Sequence, residues 1–355
     1  MGHSNQRLPL MDSFLLLTRP GFEGDCAAEL SVRAGERGVG GYARAEEGTG
    51  WLLWEAPQGA PMDLMEPLPV FARTAWPCVR QLPLPAEHRA EAVVEALAGE
   101  GRRFRRVLLE HPDTNEGRGL GRFLRGFRPP LERALRRRGL LGEQAEANLH
   151  LFFTDSRRVL VGYSTAEAPL ENGIPRLRLP REAPSRSALK LEEGWLRLLT
   201  AGERERWLRA GRDAVDLGAA PGGWSWQLAR RGVRVTAVDH GRLDVRLLAE
   251  YPVTHVSADA FSWRPSAPVD WVVCDVVDKP ARTLGLMEQW LSGGRARVAL
   301  FNLKLPMKRR HATVAEALRR LQALSPGPDT AMPRVRAAHL YHDREEVTVA
   351  VLPGE

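Results

Sequence analysis

From Asp213 to Leu305 the apolar positions come in short bursts: "DAVDLG", "VRVTAVD", "THVSADA", "DWVVCDV" and "RVALFNLKL". Stretches of helix length separate them. Bursts this short and this continuously apolar predict strands buried on both faces, alternating with helices, which is the pattern of a parallel sheet covered by helices. The pattern changes at the end. "RVRAAHLYHDREEVTVAVL" holds two β-rich runs joined by the polar "HDRE", with no room for a helix between them, and predicts an antiparallel hairpin.

An open α/β sheet closed by such a hairpin resembles the class I, Rossmann-like methyltransferase fold, which implies a seven-stranded sheet. The N-terminal half reads as α+β. "PGFEGDCAAELSVRAGERG" is a turn and an amphipathic helix with Cys26 toward a core, and "EHRAEAVVEALAGEG" is a second helix. "RRFRRVLLEHPD" reads as a basic strand and "PPLERALRRRGLL" as a helix begun by proline. "ANLHLFFTDSRRVLVGYS" reads as two strands with a turn between. Pro169, Pro175, Pro180 and Pro184 block helix and central strand alike, which marks a linker over residues 166–186.

Composition narrows the class. A chain of 355 residues with 43% hydrophobic positions and no apolar run near the ~18 residues of a membrane span reads as a soluble, multi-domain protein. The start of the chain lacks a signal-peptide pattern, and its first ten or so residues read as a tail. Three scattered cysteines (Cys26, Cys78, Cys274) give neither a disulfide framework nor a metal-ligand spacing, so no metal is expected and a reducing cytoplasm fits. The net charge of +7 is carried mostly by arginine. Nucleic acid as partner and a GC-rich genome both account for it.

The candidate chemistry centres on "DLGAAPGGWSWQLARRG", Asp216 to Gly232, a strand end, a glycine-rich turn and a helix. A P-loop needs Lys-Ser/Thr after the glycines, but Trp224 follows Gly223. A dinucleotide site needs G-x-G-x-x-G, and the order Gly218, Ala219, Ala220, Pro221, Gly222, Gly223 fits that badly. Asp216 at the strand end would repel a pyrophosphate and suits a cationic group. S-adenosylmethionine has an ammonium, a sulfonium and no phosphate. Asp239, about twenty residues on, stands where a ribose would be held, and Asp259 is placed to meet an adenine amine. Trp224 and Trp226 follow the glycines, and at least one is expected in the core.

"DLGAAPGGW" resembles the D-x-G-x-x-P-G-G motif of the FtsJ-like RNA 2′-O-ribose methyltransferases. "SRSALKLEE", "VVCDVVDKP", "FNLKLP" and "DREEVTVAV" resemble further segments of that superfamily. The N-terminal half, with "HPDTNEGRGLGRFLRGFRPPLERAL", is similar to the THUMP-containing part of the ribosomal RNA large subunit methyltransferase M family. The resemblance covers nearly the whole chain. It implies a ferredoxin-like region over residues 1–70, a THUMP-like RNA-binding domain over 71–165 and a methyltransferase domain over 187–355. The implied activity is methyl transfer to a cytidine 2′-hydroxyl of 23S rRNA. The same chemistry on tRNA or another RNA, and an inactive RNA-binding homologue, stay open as alternatives. No membrane and no obligatory protein partner are implied.

The resemblance also assigns residues. Its Lys-Asp-Lys-Glu tetrad falls on Lys190, Asp275, Lys304 and Glu346, with Lys304 as general base. Glu345 is the competing position for the last member. Ser187, Asp216, Gly218, Ala220, Pro221, Gly222, Gly223, Trp224, Asp239, Asp259 and Asp275 are expected to hold the cofactor. A neutral lysine can take a proton if burial or a second cation lowers its pKa, and Lys190 would be that cation for Lys304. The bland alternative pairs Lys190 with Glu192 or Glu193. Cytosine C5 methylation would need a cysteine nucleophile, and strand alternation turns Cys274 away from Asp275. From Arg102 to Arg138 there are twelve arginines against four carboxylates. Arg122, Arg125, Arg136 and Arg137, with Lys308, Arg309 and Arg310 beyond Lys304, are the expected RNA contacts. Phe104, Phe123 and Phe127 among them read as core.

Overall fold

The computed structural model describes residues 10–99, 101–165, 167, 169–324 and 331–354. The tail expected over the first residues falls mostly on 1–9, outside the described residues. The chain divides into two compact units, Met1–Ile174 and Pro175–Glu355. Among the described residues no helix is long and apolar enough to cross a membrane.

The first unit runs β1 (Leu10–Thr18), α1 (Glu23–Glu36), β2 (Tyr42–Ala45), β3 (Trp51–Pro61), β4 (Ala72–Pro83), α2 (Arg89–Ala98), β5 (Phe104–Glu110), α3 (Asn115–Arg137), β6 (Ala147–Asp155) and β7 (Arg158–Ser164). Its seven strands form one sheet in the order β2-β3-β1-β4-β7-β6-β5. The boundary expected at residues 70/71 falls just ahead of β4. That strand pairs with β1 through Phe14↔Pro77 and with β7 through Gln81↔Leu160, so the sheet continues through both halves.

The helix expected to begin at Pro129 begins instead at Asn115, with both prolines inside it. Thr114 caps it by accepting from the Gly117 N–H at 2.9 Å. Leu124, Phe127, Leu131 and Leu135 are buried at helical spacing. Each contributes about 1.5–3 kcal/mol on burial. Together they supply about 6–12 kcal/mol, the same order as the cost of two interior prolines at about 3 kcal/mol apiece.

The second unit runs α4 (Ala188–Leu198), α5 (Ala201–Trp207), β8 (Asp213–Leu217), α6 (Gly223–Ala229), β9 (Arg234–Val238), α7 (Val245–Glu250), β10 (Val253–Val256), β11 (Val269–Cys274), α8 (Pro280–Ser292), β12 (Ala296–Lys304), α9 (Arg310–Gln322), β13 (Arg334–Ala338) and β14 (Glu346–Leu352). The strand order is β10-β9-β8-β11-β12-β14-β13. The strands from β10 to β12 are parallel, and β14 runs antiparallel between β12 and β13. This is the expected seven-stranded sheet with its closing hairpin. Trp271 to Cys274 and Val298 to Leu303 are fully buried, as strands covered on both faces must be. The chain order reverses between β8 and β11, and in open α/β sheets the crevice beyond the carboxyl ends of strands at such a point takes the ligand.

Candidate active site

β8 delivers Asp216 to that crevice, and the glycine turn follows. Gly218 sits at φ +76° and Gly222 at φ +113°, conformations that disfavour a Cβ. A Cβ on Gly222 would run into Leu247, and one on Gly223 into the hydroxyls of Ser185 and Ser187. The Gly218 N–H donates to Val238 O at 2.9 Å, which ties the turn to β9.

Beside the turn lies a pocket of about 240 Å³. Of the residues expected to hold a cofactor, Ser187, Asp216, Gly218, Ala220, Pro221, Trp224 and Asp275 line it. Gly222, Gly223, Asp239 and Asp259 do not. Gly223 packs against the pocket residues Ser185 and Ser187, whereas Gly222 packs against Leu243 and Leu247, outside the lining. Asp239 holds the turn, accepting from Ala220 N at 3.0 Å and Gly241 N at 2.7 Å. Asp259 is exposed and accepts from Phe261 N at 3.0 Å, a local turn beyond the end of β10. Trp224 is buried and donates to Ser187 O at 3.0 Å; Trp226 is core as well. His240 is exposed.

Asp216 is 1% exposed and accepts from Ser225 Oγ at 2.7 Å. Burial pushes its carboxyl up to about 7, the Ser225 hydrogen bonds pull it back, and the charges of Asp275 and Asp239 add to the rise. Ser225 carried no signal in the sequence beyond lying one helical turn past Gly222.

Four elements bring the tetrad together. Lys190 lies in the first turn of α4, Asp275 just past β11, Lys304 at the end of β12, and Glu346 at the start of β14 as the direct cross-strand partner of Lys304. Lys190 Nζ is 3.3 Å from Asp275 Oδ2 and also pairs with Glu346 Oε1. Lys304 Nζ is 3.1 Å from Asp275 Oδ1 and pairs with Glu346 Oε2. The result is a closed ring of alternating charge. Glu346 is nearly buried, whereas Glu345 is exposed and bonds Arg310 at 2.8 Å. The bland partners of Lys190 are engaged elsewhere. Glu192 bonds Arg231 at 2.6 Å, and Glu193 accepts from the Tyr341 and His342 N–H groups at 2.8 and 3.0 Å.

Lys190, the expected cation of the pair, is held in its charged form by the ring. Burial pulls its pKa down, but Asp275 and Glu346 outweigh burial and leave it above its ordinary value. The two lysines are separated by carboxylates, so each sees opposite charge first.

Asn302, Thr348 and Asp343 extend the polar contacts behind the ring. Asn302 Nδ2 donates to Asp275 Oδ1 at 2.8 Å, and Thr348 Oγ1 lies 2.7 Å from Asn302 Oδ1. The signal for Asn302 was its place two residues before Lys304, on the same face of a strand. Cys274 faces the core on the other side. It is fully buried, and burial pushes its thiol up to about 12, unfit for nucleophilic attack.

Arg122, Arg125, Arg136 and Arg137 are exposed along α3, with Arg136 3.4 Å from Glu132. Phe104 and Phe127 are buried, and Phe123 stacks on Phe127 at 5.4 Å between centroids, so these rings pack in the core. Lys308 and Arg309 are exposed just beyond β12, while Arg310 is engaged with Glu345.

Residues 183–304 match the FtsJ-like methyltransferase family. Residues 11–74 match the ferredoxin-like domain of ribosomal RNA large subunit methyltransferase M, and 88–165 match that family's N-terminal region. The ribosomal RNA large subunit methyltransferase M of Alkalilimnicola ehrlichii is 51% identical over 343 residues, covering 95% of this chain and 93% of that one. The protein of the same name from Thauera aminoaromatica is 45% identical, covering 93% of each. With a 51% identical relative covering 95% of it and the ring of charge in place, the chain belongs to the ribosomal RNA large subunit methyltransferase M family.

Proposed function

We propose that the protein transfers a methyl group from S-adenosylmethionine to a cytidine 2′-hydroxyl of 23S rRNA, acting in the cytoplasm. The observation that carries this reading is the closed Lys190–Asp275–Lys304–Glu346 ring, which shares Asp275 with the pocket beside the glycine turn. The pocket's charged lining is Asp216 and Asp275, without a lysine or arginine. Such a lining fits a cationic ligand without phosphate and opposes a nucleotide phosphate. Bound S-adenosylmethionine supplies an electrophilic methyl on its sulfonium. Asp216 would hold the ammonium end, and Asp239, fixed by the turn, would face the ribose.

A ribose hydroxyl is a weak acid, so its proton needs a placed acceptor. Lys304, in its amine form, takes that proton at Nζ. Lys190 stays an ammonium, in keeping with its raised pKa, and stabilises the charge developing on the 2′-oxygen. Asp275 and Glu346 fix both lysines, and alignment of the reacting atoms supplies the rest of the rate. The exposed arginines of α3 support an RNA-holding role for residues 71–165, read as THUMP-like. Lys308 and Arg309, exposed just beyond β12, would grip phosphate near the ring.

The test uses 23S rRNA lacking its modifications and methyl-labelled cofactor, with wild type and Lys304→Ala, followed by digestion to locate the label. Label on ribose that disappears in Lys304→Ala, with cofactor binding retained, supports both the reaction and the base. Label on a base, or undiminished transfer by Lys304→Ala, overturns the assignment.

A further inference from the structure

We infer that Asn302 is a positioning residue, and that a one-way hydrogen-bond chain from Asp343 through Thr348 and Asn302 sets the orientation of Asp275 in the ring. The inference rests on the methyl-transfer reading above and deepens it. Asn302, Thr348 and Asp343 are all fully buried. Asn302 and Thr348 face each other directly across the β12–β14 pairing.

The direction of the chain follows from donor and acceptor chemistry. Asp275 already accepts from both lysines, so it presents acceptor oxygens to Asn302. The Asn302 amide must turn its NH₂ toward Asp275, at 2.8 Å, and its oxygen toward Thr348. An amide oxygen only accepts, so the single hydroxyl hydrogen of Thr348 is spent on it, at 2.7 Å. Thr348 Oγ1 is also 3.1 Å from Asp343 Oδ2 and 3.4 Å from Oδ1. With no hydrogen left to give, the hydroxyl can only accept there, and the inferred direction has Asp343 protonated and donating, while its Oδ2 also accepts from the Leu340 N–H at 3.0 Å.

The surroundings of Asp343 agree. Burial raises its carboxyl well above the usual range and the charge of Glu346 adds to the rise, while the Leu340 N–H and Lys190 pull it back. Glu193 is a further negative neighbour.

The chain gives Asp275 a neutral third anchor. Lys190 holds Oδ2, whereas Lys304 and Asn302 share Oδ1. A charged anchor in place of Asn302 would change the balance between the lysines and the carboxylates of the ring. The amide instead fixes the carboxylate plane, and with it the direction in which Lys304 Nζ points, without adding charge.

Thr348→Val keeps the shape of the side chain and removes the hydroxyl. It is expected to lower kcat about tenfold, the effect of one lost buried hydrogen bond. KM for RNA and for S-adenosylmethionine should stay within about twofold, because neither is touched. Thr348→Ser restores the hydroxyl and should recover kcat to within about threefold. Asp343→Asn retains a donor toward Thr348 and should also stay within about threefold. In ¹³C-aspartate-labelled wild type at pH 7, the infrared spectrum should show the C=O stretch of a protonated carboxyl that Asp343→Asn removes. Wild-type kcat in Thr348→Val, equal impairment in Thr348→Ser, or absence of that stretch overturns the inference. If Thr348→Val fails to fold, Thr348→Ser, Asp343→Asn and the infrared band still decide it. A wild type that labels no ribose defeats the function reading alone, while the infrared band still tests the direction of the chain.

Discussion

Asp216→Asn separates what this residue does for stability from what it does for binding. The carboxyl ordinarily titrates at 3.8 and is pushed up to about 7 in the folded protein. A raised carboxyl pKa means that the folded state holds the proton more tightly than the unfolded chain. Stability from this group is therefore fully present below the unfolded value and is lost as pH rises through about 7. The shift of roughly three pH units corresponds to about 4 kcal/mol between the acid and alkaline limits. Asparagine has the same shape, can accept the Ser225 hydroxyl, and does not titrate. The variant should gain about 4 kcal/mol over wild type on going from pH 4 to pH 8. At pH 8, where the wild-type carboxyl is ionised, its affinity for S-adenosylmethionine should fall about tenfold or more, because a charged acceptor for the ammonium is gone. Hydrogen exchange resolved to the amides of β8 and β11 reports this unit alone, and calorimetric titration reports the cofactor. Equal pH dependence of exchange in the two proteins would show that Asp216 stays ionised throughout, and would refute the burial argument.

Cys274→Ala should keep ribose methylation and lose about 1–2 kcal/mol of stability, as for a small core truncation. Loss of transfer in a folded variant would instead place the thiol in the chemistry. Arg122→Ala combined with Arg125→Ala should weaken RNA binding. The slope of log affinity against log salt should fall by about 0.7 for each phosphate of single-stranded RNA that these arginines no longer neutralise. An unchanged slope would mean that this face of α3 is merely solvated.

The parallel strands of the second unit were legible because burial on both faces leaves almost no polar positions in them, as in Trp271 to Cys274. The glycine turn was legible because its strained positions exclude side chains. Individual members of the tetrad were weaker signals. Lys190 alone reads as a solvated helix residue, and only the order of all four residues along the chain singled it out. The first unit was harder to read. Local chemistry put a helix start at Pro129–Pro130, but a buried apolar face extending back to Leu124 carried the helix through them. Thr348 and Asp343 were illegible for another reason, and Asn302 showed only its place two residues before Lys304. Nothing near each residue says that it has a partner, because the contacts form only when β14 lies beside β12.

The position of β14 has a consequence for a chain made from its N-terminus. Synthesis delivers Lys190, Asp275 and Lys304 first, and a nascent chain holding only these has two cations sharing one carboxylate. β13 is made before β14, its one strand neighbour among the described residues, and until then has only helices such as α4 and α9 to pack against. Insertion of β14 joins β13 to β12 in the sheet, pairs the open edge of β12 and brings Glu346 between the lysines. Maturation of the protein and the onset of its competence therefore coincide, and no partly folded chain on the translating ribosome holds a complete set of reacting groups.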